Sequence, residues 1–372
     1  MHAKPIEPRR ALAALAAIAA AGCIIHDPGA AAGGAVGGNL VPPSSLKPMR
    51  QASAAAHKRI GTAVMSTHIA DGAFRTLVAR EFDSLSPENE MKWATVEPRP
   101  GAFEFAAGDG LVEFAAANGM RMRGHTLVWH QQLAFWVKGL KPDALRAAMA
   151  RHIQNVAGHW KGKLAQWDVV NEALANGDSG QLRDDSPFTA LGPTFIDEAF
   201  RLAHAADPQA LLFYNDYEIE GVGPAKSEAA YALCKRLKES GVPIHGVGFQ
   251  MHVDPRQWPS ADSIRQNIER YAALGLDVEF TEMDVAVGAL PGDINQKLQR
   301  QREITHDIVA ACVGVDRCTG VTLWGVSDRD SWLSTAEWSH LRGRGPHYPL
   351  AFNANLEAKP MVAGILDTFE KK

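Results

Sequence analysis

The sequence has 372 residues, 46% of them apolar and 22% charged, enough to bury a large core in one α/β barrel or two small domains. Its formal net charge is −4, and Lys and Arg are scattered without basic blocks, which excludes an electrostatic footprint for nucleic acid or anionic lipid and favours a neutral partner. The 9 Trp supply flat apolar faces, each with one N–H donor, that suit sugar rings as well as a core.

In chain order, residues 1–22 read as a signal peptide. Arg9-Arg10 precede an apolar run from Ala11 to Ala21 that is too short to span a bilayer. Ala20-Ala21-Gly22-Cys23 resembles a bacterial lipobox, which implies cleavage before Cys23 and a lipid on its sulfur. An ordinary signal peptide cleaved nearby is the alternative, and export follows from either. Residues 23–50 are rich in Gly, Ala, Pro and Ser without a hydrophobic period, so they are expected to form a flexible tether ahead of a folded domain at 51–372.

From there, short strand-like runs alternate with helical patterns: Ile60–Val64, Phe82–Leu85, Arg121–Gly124, Gln166–Val170, Leu211–Tyr214, Gly246–Phe249, Asp277–Thr281 and Gly320–Trp324. Between them, Thr194–Ala205 and Ala225–Glu239 carry apolar residues at helical spacing, and Gly241 and Gly275 fall where helix ends favour a left-handed residue. Repeated βα units of this kind predict a (β/α)8 TIM barrel, with an open doubly wound sheet as the competing architecture. Polar and aromatic residues cluster just past each strand, where barrels build their sites, and no Gly-rich phosphate loop follows the first strand. Cys312 and Cys318 are close enough in sequence to close a small disulfide loop, and Cys234 sits on a helical face as a buried, inert thiol.

Cleavage of a glycosidic bond needs one carboxylic acid to protonate the leaving oxygen and one carboxylate on the other side of the sugar. Glu172, at the end of Trp167-Asp168-Val169-Val170-Asn171, and Glu282, at the end of Val278-Glu279-Phe280-Thr281, are the obvious pair, projecting from two strand tips into one bowl. Their separation, which decides between retention and inversion, is not contained in the sequence.

Five segments in register resemble the family 10 glycoside hydrolases, the endo-1,4-β-xylanases. They are Ser86-Pro87-Glu88-Asn89-Glu90-Met91-Lys92-Trp93, Gly124-His125-Thr126-Leu127-Val128-Trp129-His130, Trp167-Asp168-Val169-Val170-Asn171-Glu172, Thr281-Glu282-Met283-Asp284 and Trp324-Gly325-Val326-Ser327-Asp328. The resemblance spans about His57 to Phe369 and implies a retaining enzyme acting on internal bonds of xylan and xylo-oligosaccharides, with Glu172 as general acid/base and Glu282 as nucleophile. It further implies that Asn171 contacts the sugar 2-hydroxyl and Gln250 the acid/base, while Asp284 orients His252, which holds Glu282 ionised. Glu88, Asn89, Lys92, His125, Trp129 and Gln132 would bind the glycone, and Trp324 and Trp332 would wall the reacting ring, plain barrel packing being the alternative for either Trp.

Two segments depart from the family pattern. After Gln131-Gln132-Leu133 the family commonly has Pro, an acidic or polar residue and Trp, where this chain has Ala134-Phe135-Trp136. Arg342-Gly343-Arg344-Gly345-Pro346-His347-Tyr348 is unusually basic and reads as a solvated loop. A barrel that captures glycans without cutting would lack one of the two carboxylates, and both are present. A metal-dependent hydrolase would need convergent ligands such as His-x-His on an early strand, whereas the first strand is followed by His68 alone. No metal and no cofactor is therefore expected, and the protein is expected to be a monomer.

Overall fold

The computed structural model describes residues 40–177, 179–335 and 344–371. Eight strands form the barrel: β1 (Arg59–Val64), β2 (Ser84–Pro87), β3 (Arg121–Val128), β4 (Gln166–Asn171), β5 (Leu211–Asp216), β6 (Gly246–Phe249), β7 (Asp277–Val285) and β8 (Cys318–Leu323). Each pairs in parallel with the next, and β1 closes the ring on β8 through Arg59↔Gly320 to Thr62↔Leu323. That closing ladder excludes the open sheet, because no barrel strand is left with an unpaired edge.

The expected strands are all present, and the differences lie at their ends. The second begins two residues later than expected because Phe82 caps the preceding helix Gly72–Glu81, its N–H donating to Val78 O at 3.1 Å and not to a neighbouring strand. β3 and β7 run on to Val128 and Val285, so His125, Glu282 and Asp284 lie inside strands and not in the loops after them. These polar residues stay in the ladder because the bowl at the barrel's C-terminal end satisfies their side chains. An additional two-residue strand, His252–Val253, lies beside β7 and sets His252 opposite Asp284. The helices occupy Phe195–Ala206 and Ala225–Glu239, and Gly241 and Gly275 take φ of 65° and 75°, values a Cβ makes costly.

The tether boundary differs from expectation. Val41 pairs with Ala358, the helix Met49–Ala55 packs on the domain with Met49 fully buried, and Met49 N–H donates to Glu81 Oε2 at 3.0 Å. The described residues before 51 therefore belong to the folded unit, anchored by Met49 and by Arg50, whose guanidinium donates to Ala79 O. The expected signal peptide, Cys23 and most of the tether lie outside the described residues, as do Arg342 and Gly343 of the basic loop.

Cys312, at the end of helix Ile294–Val313, is disulfide-bonded to Cys318 at the start of β8, with Cα atoms 5.2 Å apart. Cys234 is fully buried in helix Ala225–Glu239, and that burial pushes its thiol well above the usual range, so it is unreactive. The barrel interior is not purely apolar. Arg123, 1% exposed, donates from Nε and Nη2 to Asp168 on β4, and its Nη1 lies 3.3 Å from Glu279 on β7. This buried ion cluster pins three strands directly beneath the bowl.

Candidate active site

Glu172 follows β4 with φ of 55°, a left-handed conformation that costs a non-glycine residue about 1 kcal/mol. Its N–H donates to Asn215 O at 2.8 Å, which holds the turn in place. Three donors surround its carboxyl: Trp129 Nε1 at 2.8 Å from Oε2, and Gln250 Nε2 at 2.9 Å and Asn171 Nδ2 at 3.1 Å from Oε1. Burial and then the charge of Asp216 raise its pKa, and the hydrogen bonds from Gln250 and Trp129 offset only part of that rise.

Glu282 lies in β7 and meets a different environment. Its Oε1 accepts from Asn215 Nδ2 at 2.7 Å, and its Oε2 is 3.3 Å from His252 Nε2. His252 Nδ1 is 2.9 Å from Asp284 Oδ2, which also accepts from Trp332 Nε1 at 2.9 Å. Burial opposes charge on His252, but the two flanking carboxylates, Asp284 foremost, lift its pKa to about 10, so both ring nitrogens carry donors at neutral pH. Burial would likewise raise Glu282, yet the His252 hydrogen bond and the charges of His125 and His252 outweigh it and leave the carboxyl below its usual range. Two glutamates in one bowl thus have pKa values pushed apart, which is the electrostatic arrangement of an acid and an ionised partner.

The remaining expected residues converge on the same bowl. Lys92 is buried, with Nζ 4.7 Å from the Trp129 ring centroid and 6.0 Å from that of Trp324. Burial lowers its pKa, against the pull of Glu282, Glu88 and Glu172. Glu88 is pushed up to about 7, mainly by burial. His125 bonds Asp168 Oδ2 through Nδ1 at 2.9 Å and meets Trp324 edge-on at 5.1 Å, while Trp332 lies 5.1 Å from the His252 ring. Gln132 Nε2 donates to Asn89 Oδ1 at 3.0 Å, and Gln132 Oε1 is buried with no partner among the described residues, an acceptor that a ligand hydroxyl would satisfy. Among the described residues no three His, Cys, Asp or Glu side chains group as metal ligands.

Residues 48–368 match the sequence model of glycosyl hydrolase family 10. The chain belongs to that family. It is 41% identical over 310 residues to a β-1,4-xylanase of Dictyoglomus thermophilum, which covers 81% of this chain and 85% of the relative, and 38% identical over 301 residues to endo-1,4-β-xylanase B of Thermotoga neapolitana, which covers 80% and 84%. Among solved structures it resembles xylanase 10B of Thermotoga maritima, with TM-score 0.81, 38% identity, and 87% of this chain and 98% of the other covered. Xylanase 10B of Thermotoga petrophila RKU-1 in complex with xylobiose is similar at TM-score 0.81, with 37% identity and coverage of 87% and 97%.

In this family 10 enzyme the two glutamates also meet residues that the sequence did not single out. Asn215, at the end of β5, donates from Nδ2 to both Asn171 Oδ1 and Glu282 Oε1 at 2.7 Å, and its Oδ1 accepts from Thr281 Oγ1 at 2.6 Å. Two asparagines therefore link the two carboxyl groups. The close approach depends on Gly248 of β6, where a Cβ would stand 2.1 Å from Asn215 Oδ1. Asp216, which raises Glu172, is buried against Lys226 Nζ at 2.9 Å and accepts from Tyr214 OH at 2.5 Å. His130 Nδ1 is 4.0 Å from Glu172 Oε2, and burial, aided by Arg183 and Lys226, lowers the His130 pKa to about 4, so it stands beside the acid as a neutral ring. The position of Asn215 just past the expected run Leu211–Tyr214 was the available signal for it. Which carboxylate it would meet depends on strand register.

Proposed function

We propose that this enzyme is an endo-1,4-β-xylanase that hydrolyses internal bonds of xylan with retention, Glu172 acting as general acid/base and Glu282 as nucleophile. The observation that carries the division of labour is the opposed pair of environments: buried Glu172 raised beside Asp216, and Glu282 lowered beside a charged His252. Glu172 transfers its proton to the glycosidic oxygen as that bond breaks, and a Glu282 oxygen forms a bond to C1 on the opposite face. Water then gives its proton to Glu172 and its oxygen to C1, releasing Glu282 and a sugar with its original configuration. The second Nδ2 hydrogen of Asn171 suits the 2-hydroxyl, a contact that strengthens as the ring flattens.

Substrate choice follows from the walls of the bowl. Trp324 stands 5.1 Å from the His125 ring and Trp332 5.1 Å from the His252 ring, and on our reading their bulk disfavours a hydroxymethyl group on the reacting ring, which favours xylose over glucose by steric exclusion. Glu88, Asn89, Lys92 and Gln132 supply the donors and acceptors for the hydroxyls of the preceding sugar. The Cys312–Cys318 disulfide suits an oxidising compartment and supports our reading of an exported protein, held to the cell envelope if Cys23 is lipidated and acting as a monomer.

Proton NMR of a fresh xylan digest tests the reaction: β-anomer appearing first is expected, and α-anomer first would refute the nucleophile. A higher kcat/KM on soluble cellulose than on xylan would refute the role given to the two Trp walls.

A further inference from the structure

Gln250 and His252 each serve one of the two glutamates, and a single residue, Met251, joins them. Gln250 Nε2 donates to Glu172 at 2.9 Å, and His252 Nε2 lies 3.3 Å from Glu282. The three residues continue β6 between its neighbours. Asp216 O, at the end of β5, accepts the Gln250 N–H at 3.0 Å, while Gln250 O and Met251 O accept from the N–H groups of Glu282 and Asp284 at 2.9 and 3.3 Å. Met251 interrupts this run with φ of 63°, a left-handed conformation that is costly for a residue with a Cβ. Its N–H turns out of the ladder and donates to Glu220 Oε1 at 3.1 Å. Both residues are buried, so water offers no ready substitute for either partner.

Glu220 is itself anchored from outside the barrel. It sits in the loop after β5, and the carbonyl before it, Ile219 O, accepts from Ser227 Oγ at 3.0 Å in helix Ala225–Glu239 and from Asn267 Nδ2 at 2.7 Å in helix Ala261–Ala273. Val222 N–H donates to Ser263 Oγ of the second helix at 3.0 Å. Burial raises the Glu220 pKa, against the N–H groups of Glu220 and Met251 and the charges of Lys226 and His252. A carboxyl oxygen accepts from Met251 whether the group is ionised or protonated, so the contact depends on reach and not on charge. Removing that oxygen leaves a buried N–H unpaired on a backbone already at an unfavourable φ, and relaxation of Met251 swings the side chains on either side of it.

We infer that Glu220 is a positioning residue for both glutamates: by taking the Met251 N–H it holds Gln250 against Glu172 and His252 against Glu282 as one piece. The inference rests on the roles proposed for Glu172 and Glu282.

The test is the pH profile of kcat/KM on phenyl β-xylobioside, with a thermal melt of each variant of the full-length protein. Glu220→Ala is expected to move both limbs up, each by about half to one pH unit, because Glu172 loses the Gln250 donor and Glu282 the His252 donor. Glu220→Asp keeps the charge but is one methylene too short to reach Met251. It should move both limbs the same way, and it carries the test if the Ala variant does not fold. Glu220→Gln keeps an acceptor oxygen at the original reach and should restore both limbs. Loss of negative charge alone would lower both carboxyl pKa values, so limbs moving down in the Ala and Gln variants would overturn the inference. A lower melting temperature with both limbs fixed, or movement of one limb alone, overturns it too and leaves the roles of Glu172 and Glu282 standing. Wild-type protein that is inactive on the glycoside, or that lacks a bell-shaped profile, overturns the reading beneath it as well.

Discussion

Gln250→Met keeps the length of the side chain but removes the donor that reaches Glu172 Oε1 at 2.9 Å. A hydrogen bond to an ionised carboxylate is worth about 1.5–3 kcal/mol, and one pKa unit corresponds to about 1.4 kcal/mol. Trp129 and Asn171 still donate to Glu172, so the lower end of that range applies and the Glu172 pKa rises by about one. The lost bond had favoured the ionised form, and the acid must be protonated to work. The alkaline limb of the kcat/KM profile therefore moves up by about one pH unit, while the acid limb, which belongs to Glu282, stays in place. Profiles from pH 4 to 10 on a xylobioside with a poor leaving group measure this directly. On a dinitrophenyl xylobioside, which needs no proton, the alkaline limb should be insensitive to the substitution. An alkaline limb that stays fixed or moves down on the poor leaving group would refute the electrostatic account of Glu172.

Glu282→Ala is expected to abolish turnover and to be rescued by azide as an α-glycosyl azide, whereas Glu172→Ala with azide gives the β-product. The opposite stereochemistry in product NMR would exchange the two roles. Asn215→Ala removes a 2.7 Å donor from Glu282 and the link to Asn171, so kcat/KM should fall about 10- to 100-fold with the acid limb moving up. A fall without movement of that limb would make Asn215 merely structural. Breaking the Cys312–Cys318 bridge with a double Ser substitution should cost about 2 kcal/mol, because the closed loop is short. Thermal melts should show a loss of a few degrees, matched by reduced wild-type protein and absent when the variant is reduced. Exhaustive chelation should leave turnover intact, and activity lost and then restored by zinc would overturn the two-carboxylate mechanism.

Local features of the chain were sufficient for the barrel itself. Apolar runs with helical segments between them fixed the strand count, and Gly241 and Gly275 marked helix ends because only glycine tolerates their φ at little cost. Glu172 and Glu282 were legible as a pair because each closes an apolar run, and a barrel sends such ends into one bowl. Where the sequence misled, long-range contacts decided the outcome: Met49 and Arg50 look like tether by composition, but they reach Glu81 and Ala79, about 30 residues away.

Which of two identical side chains is the acid was not readable from composition, period or spacing, and only the five-segment resemblance suggested it. That difference arises because Asp216 comes from β5 toward Glu172, while His252 is placed opposite Asp284 by two residues pairing beside β7. The bond from Asn215 to Glu282 likewise spans 67 positions and exists because Gly248 lets β6 lie close. A sequence specifies its strands through interactions a few residues apart. It sets the ionisation of its glutamates through register and burial, which come into being only when the barrel closes.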